Sequence, residues 1–176
     1  FVIAYITIHY SHTLEFRSPE YMVIIFLHAS VGITVGLLFL PRLIWRLINI
    51  EPEPDPAPNW QHLAAKGAHW ALYFVLIAMP ISGWFGFGIP VFKYFGTFEI
   101  PSFMGTGFFE SAFATNLGFT FEVWEPPLDY FHKNIMGQKL LWVLILVHIG
   151  AALYHHFKMN DNTLKRMLPG GKPEVK

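Results

Sequence analysis

Four stretches of mainly apolar residues alternate with polar connections along the chain. An α-helix needs about 20 predominantly apolar residues to cross a bilayer, and three of the stretches reach that length. The first stretch is shorter and starts at full hydrophobicity at Phe1, so we expect its upstream part to be missing from this sequence. The pattern predicts an all-α integral membrane four-helix bundle that forms a single domain over residues 1–176. Its helices are expected at about 1–14 (truncated at its N-terminus), 21–48, 68–89 and 131–158.

Two long connections separate the predicted helices. The inner linker, 49–67, contains EPEPDPAP at residues 51–58, and alternating proline predicts an extended spacer. The outer loop, 90–130, is rich in phenylalanine and glycine, and a loop of that length is usually either functional or partly structured. Its phenylalanines are expected to lie either on the membrane surface or on a partner subunit.

Composition supports the membrane class. Charged residues make up 14% of the chain, against about 25% in ordinary soluble domains, and 53% of the residues are hydrophobic. The formal net charge of zero gives no indication of a nucleic-acid partner. The chain has no cysteine, which excludes disulfide frameworks, cysteine-ligated zinc and iron–sulfur clusters, so its nine histidines are the main candidate metal ligands.

The basic residues predict how the chain is oriented. If the loop near Arg17 faces outside, eight lysines and arginines fall on inside segments and four on outside ones, in agreement with the positive-inside rule. We therefore expect a multi-pass protein of the inner (cytoplasmic) membrane with both termini in the cytoplasm. The inside residues are Arg42, Arg46, Lys66, Lys158, Lys165, Arg166, Lys172 and Lys176, and the outside ones are Arg17, Lys93, Lys133 and Lys139.

Small residues and a proline predict local features of the second and third helices. Gly32 and Gly36 are four residues apart, a spacing that permits close helix approach and would equally make room for a flat cofactor. Pro80 should kink the third helix, because its ring blocks one backbone hydrogen bond.

Histidines recur inside the apolar stretches, where ionisable residues are functional candidates by default. His28 should lie roughly 10 Å below the outer boundary, and His132 at the outer end of the fourth helix. His148 should lie deeper and His69 near the inner boundary. Histidines at two depths on several helices are what two stacked bis-histidine haems require, although a single helix histidine is more often a hydrogen-bonded packing residue. Zinc is less favoured, because no His-x-x-x-His or carboxylate cluster shares a face inside the membrane.

The stretch VHIGAALYHHF, residues 147–157, holds three of these histidines. His148 and His155 are seven residues apart and share a helix face, since a helix turns by about 100° per residue. His156 points about 100° away, toward the lipid headgroups. We assign no role to His9, His12 and His62.

Three local patterns carry a family resemblance. They are FLHASVGI followed by PRLIWRL in the second helix, GAHWALYFVLIAMPISG in the third, and VHIGAALYHHFKMNDNTLKRMLP at the end. With these patterns the chain resembles the bacterial cytochrome b-561 family of small four-helix di-haem membrane proteins, whose best-defined type is superoxide oxidase. The resemblance covers nearly the whole chain except the long outer loop and the absent start.

The resemblance implies two b haems and a set of axial ligands. His28 and His132 would hold the outer haem, and His148 the inner one, with a partner just upstream of Phe1. The family usually places its two last-helix ligands about 14 residues apart, roughly 40° off one face, whereas His132 and His148 are 16 apart, roughly 160° off. Either a bulge or an irregular first turn realigns them, or His132 is not a ligand.

The same resemblance implies electron transfer between an outer donor, superoxide in an oxidase, and ubiquinone near the inner boundary. Lys93 and Lys133, with Arg17 and Lys139, either attract an anion such as superoxide or are ordinary surface cations. The remaining candidates lie at the inner end. His69 and His155 either serve a quinone and its protons or form hydrogen bonds to haem propionates and neighbouring helices. Arg42 and Arg46 either pair with haem propionates or anchor the helix at the interface.

Two other functions are compatible with the sequence. The first is a cytochrome b electron-transfer subunit that docks to a larger respiratory complex, and the long phenylalanine-rich outer loop favours it. The second is a structural subunit of a respiratory assembly.

Overall fold

The computed structural model describes residues 1–49, 58–118 and 120–159. These residues are mostly helical, and three of the helices have the length and apolar composition needed to cross a membrane. The predicted spacer at 51–57 and the cations Lys165, Arg166, Lys172 and Lys176 lie outside the described residues. The helices of membrane-crossing length are α2 (Pro19–Ile48), α3 (Asn59–Phe85) and a continuous helix over Phe121–Met159, and a shorter apolar helix, α1 (Val2–Ser11), precedes them.

Helix α2 begins at a well-formed N-terminal cap. The side chain of Ser18 accepts a hydrogen bond from the backbone N–H of Tyr21 at 3.1 Å, and Pro19 occupies the first helical position, where its missing N–H costs nothing. The helix has 30 residues and is therefore about 45 Å long, some 15 Å more than the hydrocarbon core of a bilayer. Part of α2 must therefore extend beyond the hydrocarbon.

Helix α3 begins earlier than hydropathy predicts. It starts at Asn59, where we expected a linker up to about residue 67, and ends at Phe85 with Gly86 as its C-cap. Its first turns, NWQHLAAKG, contain several good helix formers but too few apolar residues to register as a membrane span. His62, expected in the linker, therefore lies on a helix.

The last helix also begins earlier, ten residues before the predicted start at 131. It consists of α4 (Phe121–Tyr130), a π-helical segment (Phe131–Leu140), α5 (Leu141–Tyr154) and a second π-helical segment (His155–Met159). Two consecutive prolines in α4 made a helix there improbable from sequence, because proline removes backbone donors.

The helical elements pack around a common centre. Helix α1 packs against α2, α2 against α3, and α3 against the last helix. The rings of Tyr5 and Trp142 meet edge to face at 4.9 Å, which brings α1 against the last helix. Val75, Met136 and Leu141 form the buried apolar cluster between α3 and the last helix.

The outer loop contains a β-hairpin, so the all-α prediction is wrong at this place. Strands β1 (Val91–Tyr94) and β2 (Phe98–Pro101) pair antiparallel. Phe95 and Gly96 connect them with positive φ angles of 45° and 73°, as in the tight turns that match the twist of paired strands. Glycine between two runs of β-prone aromatic residues is the sequence signal for this hairpin.

Most of the phenylalanines between the hairpin and α4 pack against one another. Phe103 is only 3% exposed and lies at the centre of an aromatic cluster. The indole N–H of Trp84 donates to the carbonyl of Pro101, and that of Trp124 donates to the carbonyl of Phe85, so the polar atoms of the cluster are satisfied. The rings in contact with Phe103 are Trp84, Phe85, Phe108, Phe109, Phe113 and Trp124.

The two glycines of α2 have different surroundings. A Cβ added to Gly36 would lie 3.1 Å from Cβ of Pro80, so helix α3 closely approaches α2 at Gly36. A Cβ added to Gly32 would meet no atom within 4 Å. Helix packing therefore accounts for Gly36 but not for Gly32.

The variant Gly36→Val should loosen the contact between α2 and α3. The added side chain has to displace Pro80, and overpacking of this kind lowers the free energy of unfolding by about 1–3 kcal/mol. Unfolding of the detergent-solubilised protein measures the loss. Gly150→Val is the matched control, because a Cβ at Gly150 meets no atom within 4 Å. Equal losses in both variants would contradict the close contact.

Candidate histidine sites

His28 lies on the face of α2 that packs against α1. Its Nδ1 is 2.8 Å from the carbonyl oxygen of Ala4 and 3.4 Å from Oγ1 of Thr7. Because a carbonyl can only accept, Nδ1 of His28 carries the proton. The other ring nitrogen, Nε2, is left with its lone pair, which is the arrangement of a metal-binding imidazole.

His132 is held in the same way by α3. Its Nδ1 is 3.0 Å from Oγ of Ser82, and that hydroxyl also lies within hydrogen-bond distance of two carbonyls of its own helix, those of Ala78 at 2.7 Å and Met79 at 3.1 Å. With the Ser82 proton on one of these carbonyls, its oxygen accepts from Nδ1 of His132, and Nε2 of His132 keeps its lone pair. A Cβ at Gly83 would lie 3.0 Å from Cε1 of His132, so a residue without a side chain is needed for the ring to sit here.

The two rings face one another across the centre of the bundle. Their centroids are 6.2 Å apart and their planes are nearly perpendicular, at 85°. With metal–nitrogen bonds of about 2 Å, two imidazoles on opposite sides of one metal ion have centroids roughly 6.4 Å apart. The separation of His28 and His132 therefore suits two axial ligands of one metal ion.

The π-helical segment Phe131–Leu140 changes the angle around the axis of the last helix between His132 and His148. Its hydrogen bonds span five residues, so each residue turns by only about 80° instead of the 100° of an α-helix. Over the 16 residues from His132 to His148 this difference brings the two side chains from roughly 160° apart to within roughly 20° of one face. The irregularity lies inside the last helix rather than in its first turn, which is at Phe121, and its geometry is compatible with the alternative in which the two histidines share a face.

A second pair of rings lies at a different level. The centroids of His69 and His148 are 5.9 Å apart, with the planes at 62°. On α3, His69 is 13 residues from Ser82, the partner of His132, so the two histidine pairs lie roughly 20 Å apart along the bundle. The partner of His148 that the resemblance places upstream of Phe1 is outside this sequence.

The outer pair offers two opposed imidazoles, the axial ligation that a b haem uses. Gly32 lies one turn from His28 on the same face of α2, and the space beside it accepts at least a Cβ without contact. No group of three or more histidine, cysteine or acidic side chains within the described ranges is arranged to hold a metal ion. Two axial ligands with the remaining positions filled by a macrocycle are therefore the chemistry that these residues match best.

For the other candidate residues at the inner end, the structure gives ring contacts and exposure. His155 opens the second π-helical segment and lies 6.2 Å from the ring of Tyr154, and His156 contacts Phe157 at 4.8 Å. Arg42 is exposed and Arg46 is half-buried at the inner part of α2. None of these contacts tests the roles expected of His155, Arg42 and Arg46.

The outer cations have local partners. Lys133 forms an ion pair with Asp129 one turn earlier, with Nζ and Oδ1 2.8 Å apart. Lys93 lies directly opposite Glu99 in the hairpin, and Arg17 lies over the ring of Phe16 at 5.3 Å. At least the charge of Lys133 is therefore compensated, which weakens its predicted part in attracting an anion.

Three residues of the outer site were missed from sequence. Ser82 and Gly83 are adjacent on α3, and the third is Ala4, which contributes only its backbone oxygen. The pair Ser-Gly two residues after Pro80 was visible in the sequence as a polar and a small residue within an apolar stretch. No property of the Ala4 side chain could have indicated its role.

Comparison with known proteins gives a family match over most of the chain. The family described as prokaryotic cytochrome b561 matches residues 1–170. The chain is 33% identical to cytochrome b561 homolog 2 of Escherichia coli (strain K12), over 93% of this chain and 77% of that protein. It is 33% identical to cytochrome b561 homolog 1 of the same strain, over 88% and 80% of the two chains.

A third relative carries a more specific name. The chain is 30% identical to a Yersinia pestis protein named "Probable superoxide oxidase CybB", over 81% of this chain and 73% of that protein. No solved structure matches the chain.

The variant Ser82→Ala should release the ring of His132. Its Nδ1 then loses the hydroxyl partner at 3.0 Å, so we expect a shift in the balance of the two ring tautomers and a loss of about 1–3 kcal/mol in the free energy of unfolding. The ¹⁵N signals of labelled histidines report the tautomer. Ser11→Ala is the control, since the Ser11 hydroxyl is also buried and donates to a helix carbonyl, that of Ile8. Unchanged His132 signals in Ser82→Ala would contradict the assignment.

Proposed function

The chain belongs to the prokaryotic cytochrome b561 family of membrane electron-transfer proteins, and on that premise we propose that it is a di-haem b-type cytochrome. In this proposal it transfers electrons between a donor on the outer side and ubiquinone. The observation that carries the proposal is the pairing of His28 with His132, whose rings are 6.2 Å apart and whose Nδ1 protons are both held by neighbouring helices. The family supplies the identity of the cofactor, and the haem number and the quinone are our inference.

The outer site is prepared by the chain itself. Haem, when bound, supplies one-electron redox chemistry. His28 and His132 would hold its iron through Nε2, because Nδ1 of each ring faces a partner on a neighbouring helix. The Ala4 carbonyl and the Ser82 hydroxyl also fix the orientations of the two rings.

The inner site combines a ligand with groups that can move protons. We assign His148 as the haem ligand at this level and keep His69, 5.9 Å away, as a proton relay. Reduction of a quinone consumes protons as well as electrons, and an imidazole can accept a proton on one ring nitrogen and donate from the other. His155, two turns below His148 along the chain, is the candidate hydrogen-bond partner of the quinone, and Arg42 and Arg46 are the candidate partners of haem propionates.

Superoxide is the proposed outer donor, and the support for it is the name of one relative at 30% identity. Lys133 is not assigned to attract the anion, because its charge is paired with that of Asp129. Arg17, Lys93 and Lys139 are the remaining outer cations for this role, and all three are exposed. The chemistry asked of them is long-range attraction only.

A docking subunit of a larger respiratory complex is the second candidate function. The outer part of the molecule exposes large apolar side chains that a partner would cover. They include Phe108, Leu117 and Val123, which are between 59% and 62% exposed. In that case the donor is a docked protein rather than a small anion.

The membrane arrangement in this proposal uses four helical elements. Helix α1 packs with α2, α3 and the last helix in a bundle with both termini in the cytoplasm. The protein then resides in the inner membrane, with His28 and His132 toward the outside and His69 and His148 toward the inside. The predicted excess of basic residues on the cytoplasmic side supports this orientation.

Substitution of the proposed ligands tests the haem assignment. His28→Ala and His132→Ala should each lower the haem content from two per protein to one, and the double variant should lose no more than one, because both residues serve the same iron. His148→Ala should remove the other haem. The pyridine haemochrome assay against protein mass measures the content, and His156→Ala is the control that keeps both haems. Two haems retained in His132→Ala would refute its role as a ligand.

The variant His69→Ala distinguishes two possible roles of His69, a proton relay and a haem ligand. As a relay, His69 can be removed without loss of haem, and we expect ubiquinol formation to slow by about tenfold or more, consistent with the loss of a positioned proton-transfer group. The haem content and the rate of ubiquinone reduction are measured on the same sample. Loss of one haem would instead make His69 the axial partner of His148.

Addition of superoxide tests whether this anion is the electron donor. Added to the oxidised protein in vesicles that contain ubiquinone, it should reduce the protein and yield ubiquinol. The double variant Asp129→Asn with Lys133→Gln removes the ion pair without changing the net charge, so the rate should stay within about twofold. A fall of tenfold that disappears at high salt would show that Lys133 attracts the anion after all. No reduction by superoxide would favour the docked-subunit function.

A further inference from the structure

The tip of the β-hairpin is fixed to the side of α2. The backbone N–H of Phe95 donates to Oγ of Ser30 at 2.9 Å, and the hydroxyls of Tyr94 and Thr34 are 2.8 Å apart. Ser30 is fully buried beneath this contact. The position of the tip along the membrane normal is therefore set by these two residues of α2.

Ser30 and Thr34 lie at the depth of the hydrocarbon wherever the bilayer is placed on α2. A membrane span takes about 20 helical residues, and α2 runs from Pro19 to Ile48. Every window of about that length within α2 includes residues 29–38. Over these windows Ser30 lies from about 2 to 16 Å below the outer boundary, so the tip lies within the outer half of the hydrocarbon.

The backbone of the tip meets the condition for contact with lipid. Chain that faces hydrocarbon must satisfy its N–H groups internally. The N–H of Phe95 is bonded to Ser30, that of Gly96 donates to the carbonyl of Lys93 at 3.3 Å, and that of Thr97 donates to the carbonyl of Tyr94 at 2.9 Å. The Thr97 hydroxyl donates to the same Tyr94 carbonyl at 2.6 Å. All three turn donors are thus satisfied within the chain.

The side chains of the tip match this position. Phe95 is 47% exposed and Phe98 is 57% exposed. Phe95 also has a φ of 45°, in the left-handed region where glycine or asparagine is usual, so backbone strain is accepted to place a phenyl ring at the turn. The charged pair Lys93 and Glu99 lies two residues back from the tip on each strand, where headgroups and water are within reach.

We propose that the hairpin tip is a membrane anchor embedded in the outer leaflet. The rings of Phe95 and Phe98 contact the acyl chains next to the headgroups, and Lys93 reaches the lipid phosphates. The depth set by α2 identifies lipid, rather than a soluble partner, as the occupant of this surface. The inference stands apart from the electron-transfer function, since it uses no property of the histidine sites.

Nitroxide labels provide the test, because the chain has no cysteine and each introduced cysteine is unique. Phe98→Cys and Glu99→Cys are neighbours on β2 whose side chains point to opposite faces of the hairpin. Each labelled protein is reconstituted in vesicles of phosphatidylethanolamine and phosphatidylglycerol. The accessibility of the label to oxygen, which concentrates in lipid, is compared with its accessibility to a water-soluble nickel chelate. Leu38→Cys, on an exposed position of α2 within residues 29–38, is the lipid reference, and Glu122→Cys is the water reference.

The expected ratio of oxygen to nickel accessibility at position 98 is about fivefold or more above that at position 99 and approaches that at position 38. Phe95→Cys should give the same result and serves as the second variant if Phe98→Cys does not fold. A ratio at 98 equal to the water reference would overturn the proposal. A label at 98 that is immobile and inaccessible to both reagents would also overturn it, since a protein partner would then cover the tip.

Discussion

The arrangement of the bundle depends on two hydrogen bonds that hold imidazoles inside an apolar interior. A polar ring buried among helices is costly unless its donor is satisfied. The carbonyl of Ala4 on α1 accepts from His28 on α2, and the hydroxyl of Ser82 on α3 accepts from His132 on the last helix. Helices α1, α2 and α3 and the last helix therefore each contribute one group to a single site. The two bonds also decide which nitrogen is left for a metal, so the packing of the helices and the chemistry of the site have the same cause.

The π-helical segment connects this outer site to the inner one. Met136 is fully buried within it, and a Cβ on Gly137 would lie 3.1 Å from the carbonyl oxygen of His132, so the wider turn is packed tightly. A regular α-helix with the same 16-residue spacing would direct His132 and His148 to nearly opposite sides. With the π segment, one helix can supply a histidine at both levels of the bundle. The extra residues in this helix are thus accommodated without loss of register between the two sites.

Hydropathy predicted the elements that depend on apolar burial, and it failed where other forces decide. It located α2 and the apolar parts of α3 and the last helix, and it placed both His28 and His132 toward the outer side, although at different depths. It missed the polar first turns of α3 and the proline-containing α4, because helix formation there does not require apolar residues. The hairpin, and the meeting of His69 with His148, depend on tertiary contacts. The acceptor on Ala4 is a backbone atom, which has no sequence signature at all.

Tertiary packing lies next to the residues of the His28–His132 site on both α2 and α3. The aromatic cluster around Phe103 packs on the end of α3, the hairpin covers the side of α2, and both belong to the segment that the sequence presents as a loop. Lys133, next to His132 in the chain, is neutralised by Asp129, so it leaves little net charge beside the site. Hydrogen bonds strengthen when water is excluded and the local dielectric is low. Phe85 of the cluster follows Ser82 by three residues, so this packing lies next to the contact between Ser82 and His132 and helps to exclude water from it.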